Sequence, residues 1–286
     1  MKYESIDSKL FIKNRINFSK EMKKNSIAFF NSNDIYPVSA DSTLPFEQHR
    51  DIFYLSGIDQ EESILVLCPD NSNPDLREIL FLKETNDHIA VWEGPKINKS
   101  QALNISGIKT VFWLNDLEKV IDSLISSCEN IYINKNEHYR AKIETETREA
   151  RFNSWLENKY SNKNKERSNP ILQRLRSLKD SIEINLIQQA CDITNKGFRR
   201  ILGFVKPGIW EYEIEAEFIH EFLINRSKKF AYTPIIASGN NANILHYIEN
   251  NMQCRDGDLI LLDVGAEYAN YSSDMTRTIP VNGRFN

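Results

Sequence analysis

Short apolar runs broken by polar turns fill the first half of the chain, whereas the second half opens with longer stretches whose apolar positions recur every three or four residues. Residues 26–30, 52–55, 63–68, 78–82, 111–114 and 130–133 are rich in β-branched and aromatic side chains and predict strands. Turns are expected at 69–74, written Pro69-Asp70-Asn71-Ser72-Asn73-Pro74, and at Glu93-Gly94-Pro95. Proline presets one dihedral there, and glycine or asparagine accepts the unusual one. Strands alternating with polar helical segments predict an α/β domain with a mixed sheet.

From Ser161 to Asn169 no apolar residue occurs, so this run offers nothing to a packed face and marks the expected boundary between domains at 1–168 and 169–286. Asn169 and Pro170 suit a helix start, with Ile171, Leu175 and Leu178 as its stripe. Asp180 and Glu183 have capping-box spacing and announce a second helix whose Ile182, Leu186, Ala190 and Ile193 share a face. Lys206-Pro207-Gly208 ends that stretch. Ile214, Phe218 and Phe222 then line another helix; Glu211, Glu213, Glu215 and Glu217 crowd its first turns, where free amides favour acidic groups, although Trp210 offers no capping oxygen. Beyond Pro234, strands are expected at 235–237, 259–264 and 272–279, which makes the second domain α+β.

Composition narrows the picture. Lys plus Arg number 36 against 40 Asp plus Glu, so no basic field exists to gather nucleic-acid phosphates. No apolar stretch approaches a membrane span or a secretory leader, which makes the cytoplasm the expected location, with no membrane partner. The Asn104-Ile105-Ser106 sequon is discounted on the same ground. Cys68, Cys128, Cys191 and Cys254 lack CxxC spacing and are expected as reduced, partly buried thiols without chemistry.

The informative chemistry lies near the C-terminal end. Asp263 closes the apolar run Leu259-Ile260-Leu261-Leu262, and Asp274 opens an alternation with Thr276 and Thr278. A tight turn centred on Tyr268-Ala269 would set Gly265 against Ser272 and Asp263 directly against Asp274. Directly opposed side chains have Cβ atoms about 4.5 to 5.5 Å apart, and two carboxylates at that distance repel unless something positive lies between them. A pair of divalent cations meets that requirement. The competing structural account has Asp263 capping a turn and Asp274 facing Arg277 or solvent. His246, in the polar loop Gly239-Asn240-Asn241-Ala242-Asn243-Ile244-Leu245-His246-Tyr247, could donate to a substrate carbonyl or move a proton; a loop histidine bonded to backbone is the plainer alternative. His220-Glu221 starts like HExxH, but residue 224 is isoleucine, so that zinc motif fails. His49, His88 and His138 have no convincing ligand spacing.

Asp263-Val264-Gly265-Ala266-Glu267-Tyr268 followed by Tyr271-Ser272-Ser273-Asp274-Met275-Thr276-Arg277-Thr278 resembles the metal-site hairpin of the aminopeptidase P branch of the pita-bread metallopeptidases. Ile244-Leu245-His246-Tyr247 is similar to that family's substrate-side histidine segment, and Leu44 to Gly57 to the opening of its N-terminal domain. The resemblance implies an aminopeptidase P N-terminal-like domain at 1–168 and the first part of a pita-bread catalytic domain at 169–286. It implies Asp263 as a bidentate ligand of one metal, Asp274 as a bridge between two, Mn²⁺ as the ion, and His246 as a contact to the substrate or its tetrahedral intermediate. The implied reaction releases the N-terminal residue from peptides with proline second, in a homo-oligomer when the protein is complete. The family further expects a glycine-flanked histidine and two glutamates that the 286 residues do not supply, so the chain is expected to be inactive alone and its second domain incompletely covered. Asn270, where the family commonly has glycine, and Glu47, His49 and Arg50 depart from its wording and touch turn geometry and dimer contacts. Two other functions fit the same resemblance: a non-catalytic assembly or interaction module built on the N-terminal domain, and a creatinase-like or dipeptide hydrolase.

Overall fold

A computed structural model describes residues 3–285. The chain forms two compact units, one of residues Ile6–Leu178 and one of the N-terminal segment to Ser5 together with the chain from Lys179 onward. No helix among the described residues is long and apolar enough to cross a membrane.

The first unit contains helices α1 (Ser8–Glu21), α2 (Arg50–Ser56), α3 (Asp87–Glu93), α4 (Lys99–Ser106), α5 (Leu117–Ile125), α6 (Arg148–Lys159) and α7 (Asn169–Ser177). Its strands are β1 (Ser26–Asn31), the small hairpin β2 (Pro37–Ser39) and β3 (Ser42–Thr43), β4 (Ile64–Leu67), β5 (Glu78–Leu82), β6 (Thr110–Trp113), β7 (Asn130–Ile133) and β8 (Asn164–Arg167). The main sheet runs β6-β5-β4-β1-β7-β8. It is mixed: β4 is antiparallel to both β1 and β5, and the outer pairs are parallel. Both faces are covered, which explains why β1 reads as unbroken apolar Ile27-Ala28-Phe29-Phe30 and is buried throughout. Ala28, Phe30, Leu65 and Leu80 pack with Phe18, Leu55 and Leu172 on one side. Ile27, Phe29, Val66 and Phe81 pack with Ile121, Leu124 and Leu156 on the other.

Two expectations fail here, each for a physical reason. Residues 52–55 are not a strand but the body of α2, since a four-residue apolar run fits a buried helix turn as well as a strand. His49 accepts from the Asp51 amide at its start, and Gly57, with φ of 70°, turns the chain at its end. A Cβ there would also lie 2.3 Å from the Phe11 ring. The polar run 161–169, where the boundary between domains is expected, is folded into the first unit. Its centre is the edge strand β8, held to β7 by backbone pairing, which asks for no apolar side chain, and its charges guard the exposed edge. The following α7 stays with this unit because Ile171 and Leu172 enter its core and Arg176 donates to Asp51 at 2.5 Å. The chain therefore passes from one compact unit to the other between Leu178 and Lys179, ten residues beyond the expected boundary. The four cysteines are free, as expected, though Cys68 and Cys128 bring their sulfurs to 3.6 Å in the core.

In the second unit, α8 (Ser181–Phe204) starts with the expected capping box, Asp180 accepting from the Ile182 amide at 2.9 Å and Glu183 from the Asp180 amide at 2.8 Å. It packs on α9 (Glu211–Ile224) through Phe198, Phe218 and Phe222. Antiparallel strands β9 (Ile235–Ser238), β10 (Leu259–Val264) and β13 (Met275–Pro280) form a sheet in the order β13-β10-β9. The short ribbon β11 (Glu267–Tyr268) and β12 (Tyr271–Ser272) lies between β10 and β13 in the chain.

Candidate metal centre

The hairpin forms, but not in the expected register. Asp263 pairs with Thr276 and Val264 with Met275, and the ribbon continues the same register with Glu267 opposite Ser272 and Tyr268 opposite Tyr271. The turn is therefore Ala269-Asn270, whose φ values of 51° and 65° are both left-handed. Two-residue hairpin turns of this hand match the twist of the strands, and asparagine tolerates the conformation that glycine would otherwise supply. Asp274 is thus the diagonal neighbour of Asp263, not its direct partner; a shift of two positions along a strand preserves the face, so both carboxylates remain on one side of the sheet.

That side is the open one. Along β10 the buried residues are Ile260, Leu262 and Val264, while Leu259 is exposed and Leu261 and Asp263 are half-buried. The apolar run is therefore an alternating strand, with Asp263 at the end of its less covered face. Asp274 and Thr276 opposite are exposed. The strands approach closely between the two acids: a Cβ at Gly265 would lie 2.0 Å from the Ser273 carbonyl oxygen, so only glycine fits. Thr194 of α8 and Ser273 fix this point, since both hydroxyls lie within 3.0 Å of the Ala266 nitrogen and 2.6 Å from each other.

The residue that joins the two acids is Tyr232, which the sequence reading missed. Its hydroxyl lies 2.6 Å from Asp263 Oδ1 and 3.0 Å from Asp274 Oδ1. Burial, then its hydrogen bonds to Asp263 and Asp274, pushes the phenol above its ordinary range, so it stays protonated. One hydroxyl proton can satisfy only one of two carboxylates. Nothing in the local pattern Ala231-Tyr232-Thr233-Pro234 points to partners 31 and 42 residues away; only the antiparallel sheet brings them together. Arg277, the alternative partner for Asp274, donates to the Thr276 carbonyl instead.

His246 sits exposed in the turn after a short 3-10 segment at Gly239–Asn243. The structure supplies no polar link between it and either aspartate. Hard carboxylate oxygens gathered on one face around a single proton suit a divalent cation, yet among the described residues no group of three His, Cys, Asp or Glu side chains converges to hold one. Asp263 and Asp274 are thus a partial ligand set.

A mixed-sheet α/β unit followed by a helical pair and a sheet bearing two facing acids is the layout of a two-domain metallopeptidase, and the family descriptions agree. Residues 11–132 match "Aminopeptidase P, N-terminal domain" and residues 185–286 match "Metallopeptidase family M24". The chain belongs to the aminopeptidase P family, and its second unit corresponds to the first part of that family's pita-bread domain. Xaa-Pro aminopeptidase of Escherichia coli is 31% identical over 86% of this chain and 56% of its own length. Human Xaa-Pro aminopeptidase 3 is 31% identical over 89% of this chain and 50% of its own. The solved Pseudomonas aeruginosa aminopeptidase PepP superposes with a TM-score of 0.87 at 28% identity, covering 99% of this chain and 64% of that one. A candidate aminopeptidase P from Bacillus anthracis reaches a TM-score of 0.91 at 30% identity, over 98% of this chain and 67% of that one. The chain spans about half the length of the curated relatives it matches.

Proposed function

We propose that this protein is a metal-dependent aminopeptidase that releases the N-terminal residue from peptides with proline in the second position. The observation that carries the reading is the convergence of Asp263 and Asp274 on the Tyr232 hydroxyl, on one sheet face, in a chain whose curated relatives are Xaa-Pro aminopeptidases. Asp263 and Asp274 would hold divalent metal, with Mn²⁺ the ion to test first. Such an ion lowers the pKa of bound water and polarises the carbonyl under attack. His246, exposed and free to meet a ligand, would donate a hydrogen bond to oxygen that gains charge during hydrolysis. Neither aspartate can hold an ion and also act as the general base, and no third ligand joins them among the described residues. Residues 1–286 alone are therefore expected to show little hydrolysis.

The test is bound Mn²⁺ per chain together with Xaa-Pro peptide hydrolysis, on the 286-residue chain and on one carried on to the length of its relatives. The longer chain should bind metal and turn over. Asp274→Asn should then cost both, and His246→Ala should lower turnover at least about tenfold with metal retained. Full metal content in Asp274→Asn would remove the assignment of that side chain.

A further inference from the structure

The four acids that open α9 do not share one duty. Glu213 accepts from the Trp210 amide at 2.7 Å and so caps the helix, and Glu217 pairs with Arg200 at 2.5 Å. Glu211 does neither. It is completely buried, and among the described residues its partners are five donors from one stretch of chain, with no cation among them. Oε1 accepts from the Ser238 amide and hydroxyl, both at 2.7 Å, and from Asn241 Nδ2 at 3.3 Å. Oε2 accepts from the Tyr247 hydroxyl at 2.6 Å and the Met252 amide at 3.0 Å. A carboxylate has about four lone-pair sites, so the set leaves nothing unsatisfied. That matters because a buried charge without a countercharge survives only when its acceptors are filled. One turn later Glu215 takes Asn250 Nδ2 at 2.9 Å, and Asn250 Oδ1 accepts from the Ile236 amide at 3.0 Å. The segment 238–252 is therefore hung from two carboxylates one helical turn apart.

His246 lies inside that segment, next to Tyr247, the one residue of the turn whose side chain reaches Glu211. Burial and the bond to Glu211 raise the Tyr247 phenol to about 12, so it remains a donor. We infer that Glu211 is the positioning residue of His246: through Tyr247 and Met252 it sets the backbone on which the imidazole stands. The inference rests on the proposed role of His246 and goes beyond it, since Glu211 itself is sealed from any substrate.

Two substitutions test it. Glu211→Gln keeps the volume but turns one acceptor oxygen into a donor facing donors, and Tyr247→Phe removes only the link nearest His246. In the hydrolytically active, full-length chain each should lower kcat about tenfold with KM changed less than twofold. In a His246→Ala background each should change kcat less than twofold, because a residue acting through His246 has nothing left to act on. Equal losses in both backgrounds would overturn the assignment and leave Glu211 a purely structural acceptor. Amide exchange and the His246 ring resonances supply a readout independent of activity. Glu211→Gln should speed exchange at Ser238 and Met252 and shift the ring signals, while amides of β10 and β13 keep their rates. If the parent chain hydrolyses nothing, the reading of function fails and this second measurement alone decides; unchanged exchange and unchanged ring signals would then sink the positioning role.

Discussion

Tyr232 holds two carboxylates with one proton, which makes it sensitive to whatever else occupies that face. Tyr232→Phe removes the donor that the two acids share among the described residues. In chelator the variant should lose about 0.5 to 1.5 kcal/mol of stability, the net worth of a hydrogen bond on a partly open face. With Mn²⁺ most of that loss should vanish, because a cation then takes over the neutralisation. Thermal unfolding in the two conditions checks this; an equal loss in both would mean that the acids take up no ion. A second titratable residue lies in the other unit. Glu149 is largely buried on α6, with Oε1 unpartnered, and burial raises its carboxyl above the ordinary range, with nearby His49 pulling it partly back. The folded chain then keeps this proton to higher pH than the unfolded chain. Its contribution to stability is complete below the ordinary glutamate value and is lost as pH rises through the raised one. Glu149→Gln should therefore unfold at a higher temperature than the parent near pH 7, and the two should converge below about pH 4. A variant weaker at pH 7 would show Glu149 ionised and paired with His49.

Among the elements, the hairpin that carries the acids depends on Gly265. The Ser273 carbonyl occupies the space a Cβ needs, and a backbone atom cannot swing aside. Gly265→Ala should cost about 2 to 3 kcal/mol, in the range of overpacked sites, and should separate Asp263 from Asp274. Calorimetry together with Mn²⁺ binding tests it; a stable variant with metal binding intact would show that the close approach is not needed. The elements were unevenly legible in the sequence. The capping box at Asp180 and Glu183 and the stripes of α8 and α9 were readable because helix signals are local. The hairpin register was not: moving the turn from Tyr268-Ala269 to Ala269-Asn270 changes every pair, and that choice depends on which residues accept left-handed φ.

For the whole molecule, the sheet of the first unit has its own helices packed on both faces. Residues 6–178 alone should therefore unfold in one cooperative step, at the temperature of one of two transitions in the full chain. Circular dichroism and calorimetry on both would show it; a fragment without a cooperative transition would mean that its core needs the rest. The run 161–169 misled because composition reports what side chains can bury, whereas an edge strand is held by backbone hydrogen bonds.

Read alone, the sequence determined the α/β then α+β order, the starts of α7 and α8 and the two acids that belong to one hairpin, because these follow from periodicity and from neighbours within a few positions. Tertiary structure decided the rest: that residues 52–55 coil, that Asp263 and Asp274 meet diagonally through Tyr232, and that Glu211 leaves the helix end to hold a distant loop. Each of these joins residues far apart in the chain, where the choice of partner is made by packing and by the need to satisfy buried polar groups.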